Sequence, residues 1–228
     1  MSQQSRKGAS DRAALTPRAV VEEALSLAES EGLGKVTIRR LAQGLDVTPM
    51  ALYWHLRRKD EMLDGMVKRI YEKIDLKVDA SATWQEQLRT LVGSMVDVLR
   101  AHPSTAPLLS TRSTTSESSL RATEVMLDVL WRGGFSPTEA TQIARHTLST
   151  VTDLISGART AAPQEEPGAL MDAQRRARVF LESLPPERYP RLVEAAGPLS
   201  ECDDPDAYYA FGLDLLLTGM ETRAARKH

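Results

Sequence analysis

The stretch at 48–60 reads TPMALYWHLRRKD, with Tyr53, Trp54 and His55 in a row ahead of Arg57, Arg58 and Lys59. Adjacent helical residues point about 100° apart, so three consecutive rings cannot all enter one core. Part of the row must face something outside the fold. Other chemistry is scarce. The four histidines (His55, His102, His146 and His228) include no pair at i, i+4, and Cys202 is the single cysteine. No metal-ligand set is therefore expected. The GLG at 32–34 follows a helical pattern rather than a strand, and neither a G-x-S-x-G elbow nor a phosphate-loop lysine occurs. The Ser/Thr-rich STRSTTSESS at 110–119 reads as a solvated linker. A helical enzyme would need convergent ionisable groups that this pattern lacks.

The charge distribution says what the outside partner is. The net charge of −2 conceals a division at residue 74. Residues 1–74 hold 13 Lys+Arg against 10 Asp+Glu, and residues 75–228 hold 16 against 21. A basic module on an acidic body is the asymmetry expected when one end meets a polyanion. The 228 residues, 42% hydrophobic and 26% charged, are enough for one large domain or two smaller ones. One cysteine, no secretory leader pattern and no apolar run of ~20 residues lead us to expect a soluble, cytoplasmic protein with no membrane partner.

The elements that must position the motif are helical almost throughout. Thr16-Pro17 opens a first helix that keeps Val20, Ala24, Leu27 and Ala28 on one face up to Gly32. A second runs from Thr37 to Gly44, a third opens at Thr48-Pro49, and a fourth covers about 59–74. Thr83-Trp84-Gln85-Glu86 is a capping box that starts a helix reaching His102, and Ser136-Pro137-Thr138-Glu139 repeats the device. A helix from 117 to Gly133-Gly134 lies between them, and Asp204-Pro205 opens the last. Seven of the 12 prolines fall in 163–205, which predicts an irregular, partly helical connection. The fold class is all-α.

Residues 36–56, VTIRRLAQGLDVTPMALYWHL, have the packing pattern of a helix-turn-helix, with Leu41, Ala42, Leu45, Val47 and Leu52 as its apolar contacts. With LAQGLDVTPMALYWHLRRKDEMLDGM, residues 14–74 resemble the DNA-binding module of the tetracycline-repressor (TetR) family. WQEQLRTL, GGFSPTEA and FGLDLLLTGME resemble that repressor's ligand and dimer domain more loosely. The resemblance implies a disordered basic tail at 1–13, a DNA-binding domain at 14–75 (three helices plus a connecting fourth) and a ligand-binding and dimerisation domain at 76–228. It further implies that Tyr53 and His55 reach phosphates, that Lys59 reaches another, and that Thr37 and Thr48 hold phosphates while capping their helices. Arg39 stands where the tetracycline repressor reads a guanine edge. The helix tip offers Pro49, Met50 and Ala51, which can supply only methyl contacts to thymine. Trp54 is expected between helices, and Leu52 and Leu56 in the core. Asp46 occupies a turn position where glycine is common and must take a left-handed conformation.

The same resemblance implies a homodimer on near-palindromic operator DNA, with half-sites ~34–36 Å apart, and a small-molecule effector that moves the fourth helix. The effector site is expected among Met95, Leu99, Met126, Leu130, Trp131 and His146, with Arg112 on a connecting loop. These suit a largely apolar ligand. The tetracycline repressor holds a magnesium–drug complex partly through a histidine just before a Thr-Arg pair. Here Leu108-Leu109-Ser110-Thr111-Arg112 has leucines instead, so neither metal nor cofactor is expected. The dimer surface is expected on the helices at 137–157 and 204–223, through Ile143, Leu148, Val151, Ile155, Phe211, Leu215 and Leu216. Besides a repressor, the pattern admits an activator, a ligand-independent regulator or a module that binds a protein partner.

Overall fold

The computed structural model describes residues 15–54, 58–112, 115–160, 169–200 and 205–225. The expectations for the 1–13 tail and for His55, Leu56, Arg57 and Asp204 lie outside the described residues. Twelve α-helices occur in the described part. They are α1 (Pro17–Glu31), α2 (Ile38–Gly44), α3 (Pro49–Tyr53), α4 (Lys59–Lys73), α5 (Trp84–Ala101) and α6 (Ala106–Thr111). The others are α7 (Glu117–Arg132), α8 (Pro137–Thr160), α9 (Ala169–Glu182), α10 (Pro190–Glu194), α11 (Ala196–Ser200) and α12 (Pro205–Ala225). No strand is present among the described residues.

The helices begin where side-chain oxygens can satisfy free backbone donors. Thr16, Thr37 and Thr48 each accept from the N–H three residues on. Thr83 and Glu86 form the reciprocal box, with Thr83 N–H donating to Glu86 Oε2 at 2.8 Å. Ser136 and Glu139 do the same, at 3.1 Å. The Ser/Thr tract is a correction to the linker reading. α6 occupies its start, Thr111 Oγ1 donates back to the Pro107 carbonyl, and Ser116 caps α7. The Thr111 and Ser116 hydroxyls serve the ends of α6 and α7.

α4 is the middle of the molecule. It packs on α1 on one side and on α5, α6 and α7 on the other. α7 and α8 lie against each other, α6 lies on α8, and α12 runs along α8 and α5. α9 packs on α10 and α11. The dimer surface expected from sequence changes composition. Val151 and Ile155 are buried inside the subunit, and Ile143, Leu148 and Leu216 are partly buried against the core. α12 instead divides its apolar residues between two faces. Leu217, Met220 and Ala224 enter the core, while Tyr208, Phe211 and Leu215, spaced i, i+3, i+7, stand exposed.

A polar seam joins α1 and α4 to the turn after α5. Arg69 Nε donates to Glu22, Lys73 Nζ lies 3.6 Å from the same carboxylate and donates to His102 Nε2 at 2.9 Å. Glu29 accepts from Ser104 N–H and from the buried Thr105 hydroxyl. Because Lys73 can only donate, His102 is neutral, and its buried Nδ1 finds no partner among the described residues. Burial pushes the imidazole below its ordinary value of 6.5, Lys73 and Arg69 push the same way, and Glu29 and Glu22 oppose them. The unfolded chain therefore takes up this proton first as acid is added. The stability that His102 supplies is complete above about pH 6.5 and drains away as the pH falls below it. The melting temperature of the protein should fall more between about pH 7.5 and 5.5 than that of His102→Gln. Equal falls would remove His102 from the account.

Candidate nucleic-acid interface and effector cavity

Leu41, Ala42 and Leu52 are buried and fix α2 against α3, with Leu45 and Val47 packed partly beneath the turn. The turn closes through Leu45 N–H on Leu41 and Val47 N–H on Ala42, both 3.0 Å. Asp46 takes φ 51° and is the one non-glycine residue with positive φ among those described. The expected left-handed turn is present.

Around this frame Thr37, Arg39, Thr48, Pro49, Met50, Tyr53 and Lys59 are exposed, and Ala51 is half-buried. Thr37 Oγ1 accepts from Arg40 N–H at 3.2 Å and Thr48 Oγ1 from Ala51 N–H at 3.3 Å. Each hydroxyl keeps its own hydrogen for an external acceptor. The two arginines of α2 have different fates. Arg40 is held by both oxygens of Glu31, whereas Arg39 has no ion pair among the described residues. Trp54 corrects the sequence reading. Expected between helices, it is 86% exposed. Leu52 takes the inward position of α3, and a residue two further on lies about 200° round the helix from it. Tyr53 (51% exposed), Trp54 and Met50 (69%) make one outward aromatic and thioether group.

The C-terminal helices hold a small cavity of about 80 Å³, bounded by Tyr71 and Ile74 of the α4 end, Leu91 and Met95 of α5, Met126 of α7, and Leu148 of α8. Of the expected effector residues, Met95 and Met126 reach it. Leu99 and Leu130 are fully buried elsewhere in the core. Trp131 and His146, expected to point inside, are exposed. In each case a helical neighbour took the inward place: Leu130 beside Trp131, and the fully buried Thr147 beside His146. Arg112 is also placed differently. Its Nε donates to Asp64 at 2.8 Å and its Nη1 and Nη2 reach Asp60, so it braces the first turns of α4. Tyr71, Leu91, Thr123, Ala144 and Leu148 were missed. For Tyr71 the available signal was its place next to Ile70 on the helix that enters the core. Burial pushes the Tyr71 phenol above its ordinary value.

The residues do not fit a magnesium–ligand complex of the tetracycline type. Leu108 and Leu109 are buried and carry no lone pair, and the Arg112 guanidinium is a committed cation.

Residues 20–66 match the model of bacterial regulatory proteins, tetR family, and residues 79–224 match the tetracyclin repressor-like C-terminal domain. The chain belongs to the TetR family of bacterial regulatory proteins. Tetracycline repressor protein class D of Escherichia coli is 28% identical over 214 residues, 92% of this chain and 91% of that protein. An HTH-type transcriptional regulator of Saccharopolyspora erythraea is 26% identical over 154 residues, 68% of this chain and 65% of that protein. Among solved structures, Streptomyces coelicolor ActR in complex with actinorhodin superposes with a TM-score of 0.79 at 26% identity, covering 93% of this chain and 99% of that one. BioQ with its natural double-stranded DNA operator gives 0.55 at 25% identity, covering 81% and 99%.

The turn gives a direct check. Asp46→Gly should be more stable than Asp46→Val by about 1–2 kcal/mol, because a β-branched residue is strained at the positive φ that glycine adopts freely. Thermal unfolding of the two variants measures the difference, and equal stability would mean that the turn relaxes.

Proposed function

We propose that the protein is a repressor that binds a near-palindromic operator as a homodimer and leaves it when a small, largely apolar molecule enters the C-terminal domain. On this reading residues 14–75 bind DNA, residues 76–228 bind the effector and dimerise, and the chain works in the cytoplasm without catalytic activity or a bound metal. The observation that carries the reading is the capped α2–α3 pair, joined through a left-handed Asp46, with Arg39 exposed beside it and in no ion pair among the described residues. Arg39 reads a base edge. Thr37, Thr48, Tyr53, His55 and Lys59 hold phosphates, and Pro49, Met50 and Ala51 supply apolar contacts to thymine methyls. BioQ, solved on its operator, and ActR, solved with actinorhodin, support the two halves of the proposal by analogy.

The test starts from DNA fragments selected by the full-length protein. Operator affinity should fall steeply with salt, as phosphate contacts release counterions. Tyr53→Ala should weaken binding to every variant duplex alike. Arg39→Ala should erase about 1–3 kcal/mol of discrimination at one base pair per half-site. An even loss across all sequences on Arg39→Ala would take base reading away from it.

The second copy is proposed to cover Tyr208, Phe211 and Leu215, alongside α8, in an isologous interface. Sedimentation of the native protein should show twice the 25.1 kDa chain mass, and Leu215→Glu should yield the single chain. A monomeric native protein would refute this.

A further inference from the structure

We infer that Tyr71 is the polar anchor of the effector site and that the effector is a neutral, largely apolar ring compound carrying a carbonyl acceptor. The inference rests on the effector reading above and gives it a chemistry. Of the residues lining the cavity, only Tyr71 and Thr123 bear polar side-chain atoms, and none is charged. An ion moved there from water would lose its hydration with no counter-charge in return, so a neutral molecule is favoured. Thr123 has already committed its proton, since Oγ1 donates to the Ser119 carbonyl at 2.9 Å. The Tyr71 phenol has no hydrogen-bond partner among the described residues. A phenol is neutral near pH 7 and burial pushes its value further up from the ordinary 10.0, so the O–H is available as a donor. With Tyr71 on the wall and its hydroxyl still reached by solvent, the phenol is the donor among the lining residues that a ligand carbonyl can engage in place of water.

The place of Tyr71 in the chain gives this hydrogen bond a consequence for DNA. Tyr71 sits on α4 between Arg69 and Lys73, the two cations that tie α4 to Glu22 of α1. The cavity, at about 80 Å³, is well below the ~300–1,000 Å³ of a drug-sized site. A larger ligand that holds the Tyr71 hydroxyl would bear on the C-terminal end of α4. The same helix begins at Lys59, six residues along the chain from the end of the proposed recognition helix at Tyr53.

Indanone and indane, which differ in one ring carbonyl, test the assignment on the full-length chain. Their affinities are measured by ligand-observed NMR for the unmodified protein, for Tyr71→Phe and for Ala144→Phe, which fills the cavity. Tyr71→Phe removes only an unbonded hydroxyl, and its melting temperature should be unchanged. The preference for indanone over indane should drop roughly 3- to 10-fold in Tyr71→Phe, the range of one neutral hydrogen bond, with indane affinity unaltered. A preference that survives Tyr71→Phe overturns the role of Tyr71 and leaves the cavity reading standing. Binding of both compounds that survives Ala144→Phe, or no binding to the unmodified protein, overturns the cavity reading itself.

Discussion

Met62, Met66, Val67 and Ile70 are almost wholly enclosed, because α4 is gripped by α1 on one face and by α5, α6 and α7 on the other. One helix therefore belongs to two packing problems at once. Interiors are close-packed, so α4 cannot shift against one neighbour without being felt by the other. Its polar partners reinforce this at both ends: Glu22 with Arg69 and Lys73 near the C-terminus, and Arg112 with Asp60 and Asp64 near the N-terminus. Most of these pairs are part-exposed and individually worth little, so the apolar interlock sets the energy and the ion pairs set the register.

Function follows from what lies at the two ends. The N-terminal end of α4 carries Lys59 and follows the exposed Tyr53–Trp54 pair, while the C-terminal end contributes Tyr71 and Ile74 to the cavity wall. A coupling of only ~1–3 kcal/mol between the ends would change operator affinity 5- to 150-fold. That is small beside the burial energy of the four enclosed α4 side chains, so the helix can move as a body without unfolding.

The DNA-facing half was legible in the sequence because its signals are local. Thr16, Thr37, Thr48 and Thr83 announce helix starts through bonds that reach three residues, and Asp46 announces its own turn. Trp54 was misread because Leu52 already holds the inward place of α3, and a residue two further on points about 200° away from it. The effector half was only partly legible, because which residues line a cavity depends on how four helices are rotated against each other. A phase error of one residue turns a side chain by about 100°. That error put Trp131 and His146 inside when Leu130 and Thr147 hold those places, and it hid Tyr71. Arg112 escaped for a different reason, since its partners lie about 50 residues away on α4, as the separations of 48 and 52 show.

The central claim is that cavity and operator compete through α4, and reciprocal linkage measures it. An apolar compound found to release the selected operator is titrated into the free protein and into the operator complex, and the operator is titrated with and without the compound. The account predicts that both affinities fall by one common factor, as linkage through a shared helix requires. A compound that binds free and operator-bound protein equally well would contradict it.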